Sequence, residues 1–89
     1  MKEKEIVEKI KNKVEEFQNC EVYVEFENAI QYNTTIKNCK IIVSDQKLIL
    51  SDEKNKDLII ELYYISELEV HESTIKMIME NDLTITITC

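Results

Sequence analysis

The sequence predicts an α+β domain: one N-terminal helix followed by a strongly bent antiparallel sheet, or partly open barrel, of about seven strands. Three observations carry that expectation. Residues 2–18 repeat apolar side chains at helical spacing. From Cys20 onward the apolar period switches to two. No second helical stretch is long enough for a parallel crossover, so the strands must run largely antiparallel. With 89 residues the chain is read as a single domain, 1–19 helix and 20–89 sheet.

In the helix, Val7, Ile10, Val14 and Phe17 recur at spacings of three and four, with Ile6 beside them, while the other faces are Lys and Glu. Under three heptads long, the stripe is read as covering the chain's own sheet rather than as a coiled-coil seam. Asn19 stands where a left-handed residue would end the helix. In the next segment Val22, Val24 and Phe26 point one way and Glu21, Tyr23, Glu25 and Glu27 the other. Further strands are expected over 30–36, 38–44, 47–51, 58–65, 67–71, 74–79 and 83–88.

Register follows for two hairpins. With Asp45–Gln46 as a two-residue loop, Val43 faces Leu48, Ile41 faces Leu50 and Ile42 faces Ile49. Both faces of that hairpin are apolar, which predicts a central hairpin covered on both sides. In the last hairpin Ile75, Met77 and Met79 share a face with Leu83, Ile85 and Ile87 only if the loop is odd. Glu80–Asn81–Asp82 supplies that loop, with Asn or Asp in the left-handed position.

Composition excludes several functions. The chain has no Gly, no Pro and no Arg. Phosphate-cradling loops, dinucleotide turns and nucleophile elbows need Gly where backbone meets ligand, so none can be built. Turns must use Asn, Asp and Ser instead. Abundant Lys, Ile, Asn and Glu, all with AT-rich codons, point to a low-GC bacterium or a phage or mobile element living in one.

Charge is uneven. Residues 1–19 are neutral, whereas 20–89 set six lysines against thirteen acidic residues and carry the whole net charge of −7. Nucleic acid and anionic membrane are both disfavoured as partners. The segment MKEKEIVEKIKNK has no apolar stretch of a secretory signal, and no apolar run approaches the ~20 residues of a membrane span. A soluble, cytoplasmic protein is expected.

Cys20, Cys39 and Cys89 are odd in number and form no C-x-x-C, so free thiols in a reducing compartment are expected. Together with His71 they are too scattered for a zinc knuckle, and no metal or cofactor is assigned. His71 has no catalytic companion in EVHES, and Asp52, Glu53 and Asp57 sit around Lys54 and Lys56 in a solvated turn. No catalytic residue is proposed, and the chain is read as a non-enzyme.

The run from Cys39 to Thr88 resembles PH-like or GRAM-like domains. It places KIIVSDQKLIL as a hairpin, then an apolar strand, a corner carried by Ile65, Leu68 and Val70, and a final hairpin. That resemblance implies a helix-capped barrel, here with the N-terminal helix as cap. EVYVEFENAIQ, SDQKLIL and YYISELEV are similar to stretches of Sm-like domains, which would imply a ring-forming RNA-binding protein.

What remains is recognition by surface. Glu21, Tyr23, Glu25 and Glu27, followed by Glu61, Tyr63, Glu67 and Glu69, interleave carboxylates with tyrosine. Tyr is favoured at interfaces, and a carboxylate field selects a protein partner with a basic surface. The expectation is a small non-enzymatic binding protein, of the kind a phage or mobile element uses to inhibit a host protein. The alternative is the Sm-like RNA-binding ring. The strand LTITITC, β-branched and uncharged, is expected to be an unprotected edge through which two copies pair as a homodimer, or else to be interior because a barrel has closed around it.

Overall fold

The computed structural model describes residues 2–44, 46–54 and 56–89. The helix α1 spans Lys2–Val14 and tightens into a 3₁₀ turn over Glu15–Phe17. Seven strands follow: β1 Cys20–Glu27, β2 Gln31–Ser44, β3 Lys47–Ser51, β4 Asp57–Glu61, β5 Ile65–Val70, β6 Thr74–Met79 and β7 Thr84–Thr88. They form one antiparallel sheet in the order β4-β3-β2-β1-β7-β6-β5, not closed into a barrel.

The bend lies in β2. Its first half pairs with β1 and its second half with β3. The expected strands 30–36 and 38–44 are therefore one strand, kinked where Asn38 takes a φ of 49°. One extra residue between Ile36 and Cys39 shifts the register there and turns the second half away. The side-chain amide of Gln18 fastens the helix end to this bend. Its Nε2 donates to the Ile41 carbonyl at 2.7 Å and its Oε1 accepts from the Ile41 N–H at 3.3 Å. Asn19 leaves the helix with a φ of 59°, and its N–H donates to the Cys39 carbonyl at 3.1 Å. Helix exit and sheet bend are thus one structure.

The core fills the concave side. Ile10, Val14 and Phe17 from the helix meet Val22, Val24, Ile41, Leu48, Leu50, Ile75, Met77, Ile85 and Ile87 from the strands, all buried. Both expected registers hold, with Ile41 opposite Leu50, Val43 opposite Leu48, and Ile75 opposite Ile87. Asp82 takes the left-handed position of the second turn, at φ 65°. Left-handed Gln46, at φ 60°, sits in the first; Asp45 lies outside the described residues.

Four expectations are corrected. The strand expected over 58–65 ends at Glu61; a 3₁₀ turn, Leu62–Tyr64, then reverses the chain, and the next strand starts at Ile65 rather than 67. The β2–β3 hairpin is covered on one side only: Ile42 is 55% exposed, because the single helix packs on the concave face. LTITITC is not an edge, since β7 lies between β1 and β6 and its backbone groups are paired on both sides. Its uncharged, β-branched character reflects an interior strand. Finally, Cys20 and Cys89 are joined in a disulfide, their Cα atoms 6.3 Å apart; only Cys39 is free. The ladder brings them together, because Tyr23 faces Thr88 and Cys89 therefore lies alongside the first residues of β1.

Candidate functional site

The convex face of β1, β7, β6 and β5 collects most of the candidate residues. Inward-facing Val22, Val24 and Phe26 force Tyr23, Glu25 and Glu27 outward. Cross-strand register then builds rows. Glu25 faces Thr86, Thr86 faces Lys76, and Lys76 faces Glu69. Glu27 faces Thr84, which faces Ile78, which faces Glu67. Tyr23 faces Thr88, which faces Thr74. A threonine-lined floor therefore separates two acidic margins, Glu25 with Glu27 on one side and Glu67 with Glu69 on the other. Glu21 is exposed at the start of β1.

Local bonds orient part of this face. Gln31 donates from Nε2 to the Glu25 carboxylate at 2.9 Å. His71 Nε2 lies 3.2 Å from Glu69 Oε1 and forms an ion pair with it when protonated. Three strand spacings put the margins ~14 Å apart. That exceeds the ~8 Å screening length at physiological salt, so the margins act as separate fields. Such a face suits a broad cationic surface better than a single ion. Lys76, between the margins, tempers the field.

Glu61 and Tyr63 do not join this face. Glu61 lies on the outer side of β4, with Lys47 Nζ 4.0 Å away. Tyr63 is in the 3₁₀ turn, its ring edge-on to Tyr64 at 5.2 Å between centroids. Beside them Tyr64, Met79, Glu80, Asn81 and Leu83 line an apolar surface hollow of about 360 Å³. The alternation read in the sequence through Tyr63 breaks because three residues are helical there.

Two features escaped the sequence reading. Ile42, Ile49 and Ile59 face one another across β2, β3 and β4 and form an outward apolar row. Its signal in the sequence is the apolar character of both hairpin faces, which by itself predicts burial rather than exposure. The second is the Cys20–Cys89 disulfide, which no spacing rule signals at a separation of 69 residues.

Among the described residues no three His, Cys, Asp or Glu side chains converge as metal ligands. Burial pushes the Cys39 thiol above its ordinary pKa, partly offset by a backbone hydrogen bond at Ser51. Asp52 accepts from the backbone N–H groups of Lys54 and Lys56, both at 2.9 Å, and so shapes its own turn. No helix of the described residues is long and apolar enough to cross a membrane. Comparison with family models, with curated proteins and with solved structures returned no match.

Proposed function

We propose that this chain is a non-enzymatic recognition module that binds a protein partner with a basic surface through the convex face of β1, β7, β6 and β5. The observation that carries the reading is the register that sets Glu25 and Glu27 against Glu67 and Glu69 across a threonine floor, with Tyr23 at one end. Two separated acidic margins give orientation as well as attraction, and the aromatic ring supplies contact area at low entropic cost. An inhibitor of a host protein, carried by a phage or mobile element, is a setting this acidic face fits.

The order of elements supports a PH-like or GRAM-like reading of the fold. Hairpin β2–β3, apolar β4, a corner at Ile65, Leu68 and Val70, and hairpin β6–β7 follow one another as that resemblance implies. The sheet is not closed into the barrel that the resemblance implies, and α1 packs on its concave face instead.

The test is site-specific photo-crosslinking from position 23 in cells of the source organism. The expected product is one captured protein with a basic patch, lost when Glu25, Glu67 and Glu69 are reversed to Lys. Equal capture by the reversed variant ends the reading. Sub-micromolar, salt-sensitive binding of single-stranded RNA would move it to the ring-forming alternative.

A further inference from the structure

Among the described residues, four lengths of strand have no strand partner on one side: β4, β5 and each half of β2, the Gln18 amide taking up the Ile41 groups of the second half. They differ in what their free backbone groups accompany. In an antiparallel ladder, alternate residues direct both N–H and C=O to the neighbouring strand. The Leu62 N–H donates to the Gln46 carbonyl and the Asp52 N–H to the Lys56 carbonyl, at 2.9 and 3.1 Å. With that phase Leu58 and Ile60 bond to β3. The backbone groups of Asp57 and Ile59 and the N–H of Glu61 therefore point out of the sheet, while the Glu61 carbonyl accepts the first bond of the 3₁₀ turn. These are also the residues whose side chains lie on the convex face, and all three are exposed.

On β5 the phase is opposite. The His71 N–H donates to the Thr74 carbonyl at 2.8 Å, so Glu67 and Glu69 bond to β6 and the free groups belong to Leu68 and Val70. Their side chains face the concave side, where α1 packs beside β5. The free groups in the first half of β2 belong to Gln31, Asn33 and Thr35, whose side chains carry no charge. Only β4 combines an open ladder with a chemical pattern: carboxylate, apolar, carboxylate at alternate positions, continuing the row Ile42–Ile49–Ile59.

We propose that the outer margin of β4 receives an extended segment of a partner, paired antiparallel, with basic residues two positions either side of an apolar one. The apolar side chain extends the isoleucine row beyond Ile59, which is 53% exposed. The two basic residues face Asp57 and Glu61. This is strand addition, in which main-chain bonds give affinity and alternate side chains give selection. Asp57 does most of the selecting: its carboxylate accepts from the neutral Ser51 hydroxyl at 2.6 Å, whereas Glu61 is shared with Lys47. A second copy is the wrong occupant. Pairing β4 with itself about Ile59 sets Asp57 against Glu61 twice, and like charges directly opposite destabilise a sheet.

The probe is a synthetic peptide with lysines at its second and sixth positions, valine at the fourth and threonine elsewhere, titrated into the full chain with amide shifts and anisotropy recorded. Binding should move the Asp57, Ile59 and Glu61 amides most. It should weaken tenfold or more in Asp57→Lys, in a peptide with the lysines replaced by glutamate, and in a peptide N-methylated at the valine. Asp57→Lys should cost more than Glu61→Lys, and the pair Glu25→Lys with Glu69→Lys should leave the edge amides responding as before. The peptide variants keep the test valid if a protein variant misfolds. No saturable binding, equal binding of the glutamate peptide, or shifts centred on β1, β6 and β7 would overturn the proposal. So would a concentration-dependent dimer that buries Ile59, which would make a second copy the occupant.

Discussion

Each face of β2, β3 and β4 carries a row of apolar side chains, and the two rows have opposite fates. On the concave face Ile41, Leu50 and Leu58 face one another, as do Val43, Leu48 and Ile60. On the convex face, one residue along each strand, stand Ile42, Ile49 and Ile59. Leu48 and Leu50 are wholly buried, while Ile42 and Ile59 are more than half exposed. Isoleucine itself does not make that difference, since both rows contain it, although the convex row alone is flanked by charged and hydroxyl side chains. The difference arises because one helix exists to cover one face, and Gln18 ties it there.

The largest loss is expected at the cover itself. Ile10→Asp places a carboxylate at a fully buried position of the helix–sheet seam. Loss of the cooperative unfolding transition in urea is expected. A variant that stays folded but changes its sedimentation would show instead that the apolar stripe of α1 faces another molecule.

Next in size come the concave residues. Leu50→Ala should lower stability by about 2–5 kcal/mol, as removal of a well-packed buried leucine does. The matched convex change, Ile59→Thr, should stay within about 0.5 kcal/mol. Measured together by urea denaturation, the pair tests whether the two faces differ as the exposure says. Equal costs would mean that something covers the outer row in solution.

Cys89→Ser is expected to cost about 2–4 kcal/mol, since the disulfide closes a loop across most of the chain. Thiol titration should find one group in the native protein, slow to react because Cys39 is buried, and three after reduction and unfolding. Three rapidly reacting thiols in the native protein would mean that the disulfide does not form.

The smallest effect concerns Cys39 on the concave face. Burial raises its pKa, so the unfolded chain surrenders the thiol proton first as pH rises. The stability contributed by the neutral thiol is intact below the ordinary value of 9.0 and is lost as pH climbs past it toward the folded pKa. Comparing the alkaline slope of stability between the wild type and Cys39→Ala isolates this group from the lysines and tyrosines. A slope unchanged by the substitution would show that Cys39 titrates alike in both states.

Local pattern made much of this protein legible. The helical stripe ending at Asn19, the alternation from Val22 to Phe26, and both hairpin registers all follow from short-range periodicity and turn chemistry, because each involves neighbours a few residues apart. The acidic face was legible only in part. Alternation placed Tyr23, Glu25 and Glu27 on one side of β1, but no local signal says that Glu67 and Glu69 share that face four strands along.

The features that local pattern left open share a physical cause: strand order and coverage are long-range properties. β7 became interior rather than an edge because β1 pairs with it across nearly the whole chain. The same pairing brought Cys89 to Cys20. The number of sides of the sheet that a helix covers decided which isoleucines are core and which are surface. A period of two assigns side chains to opposite faces, but it cannot say which face will meet another element.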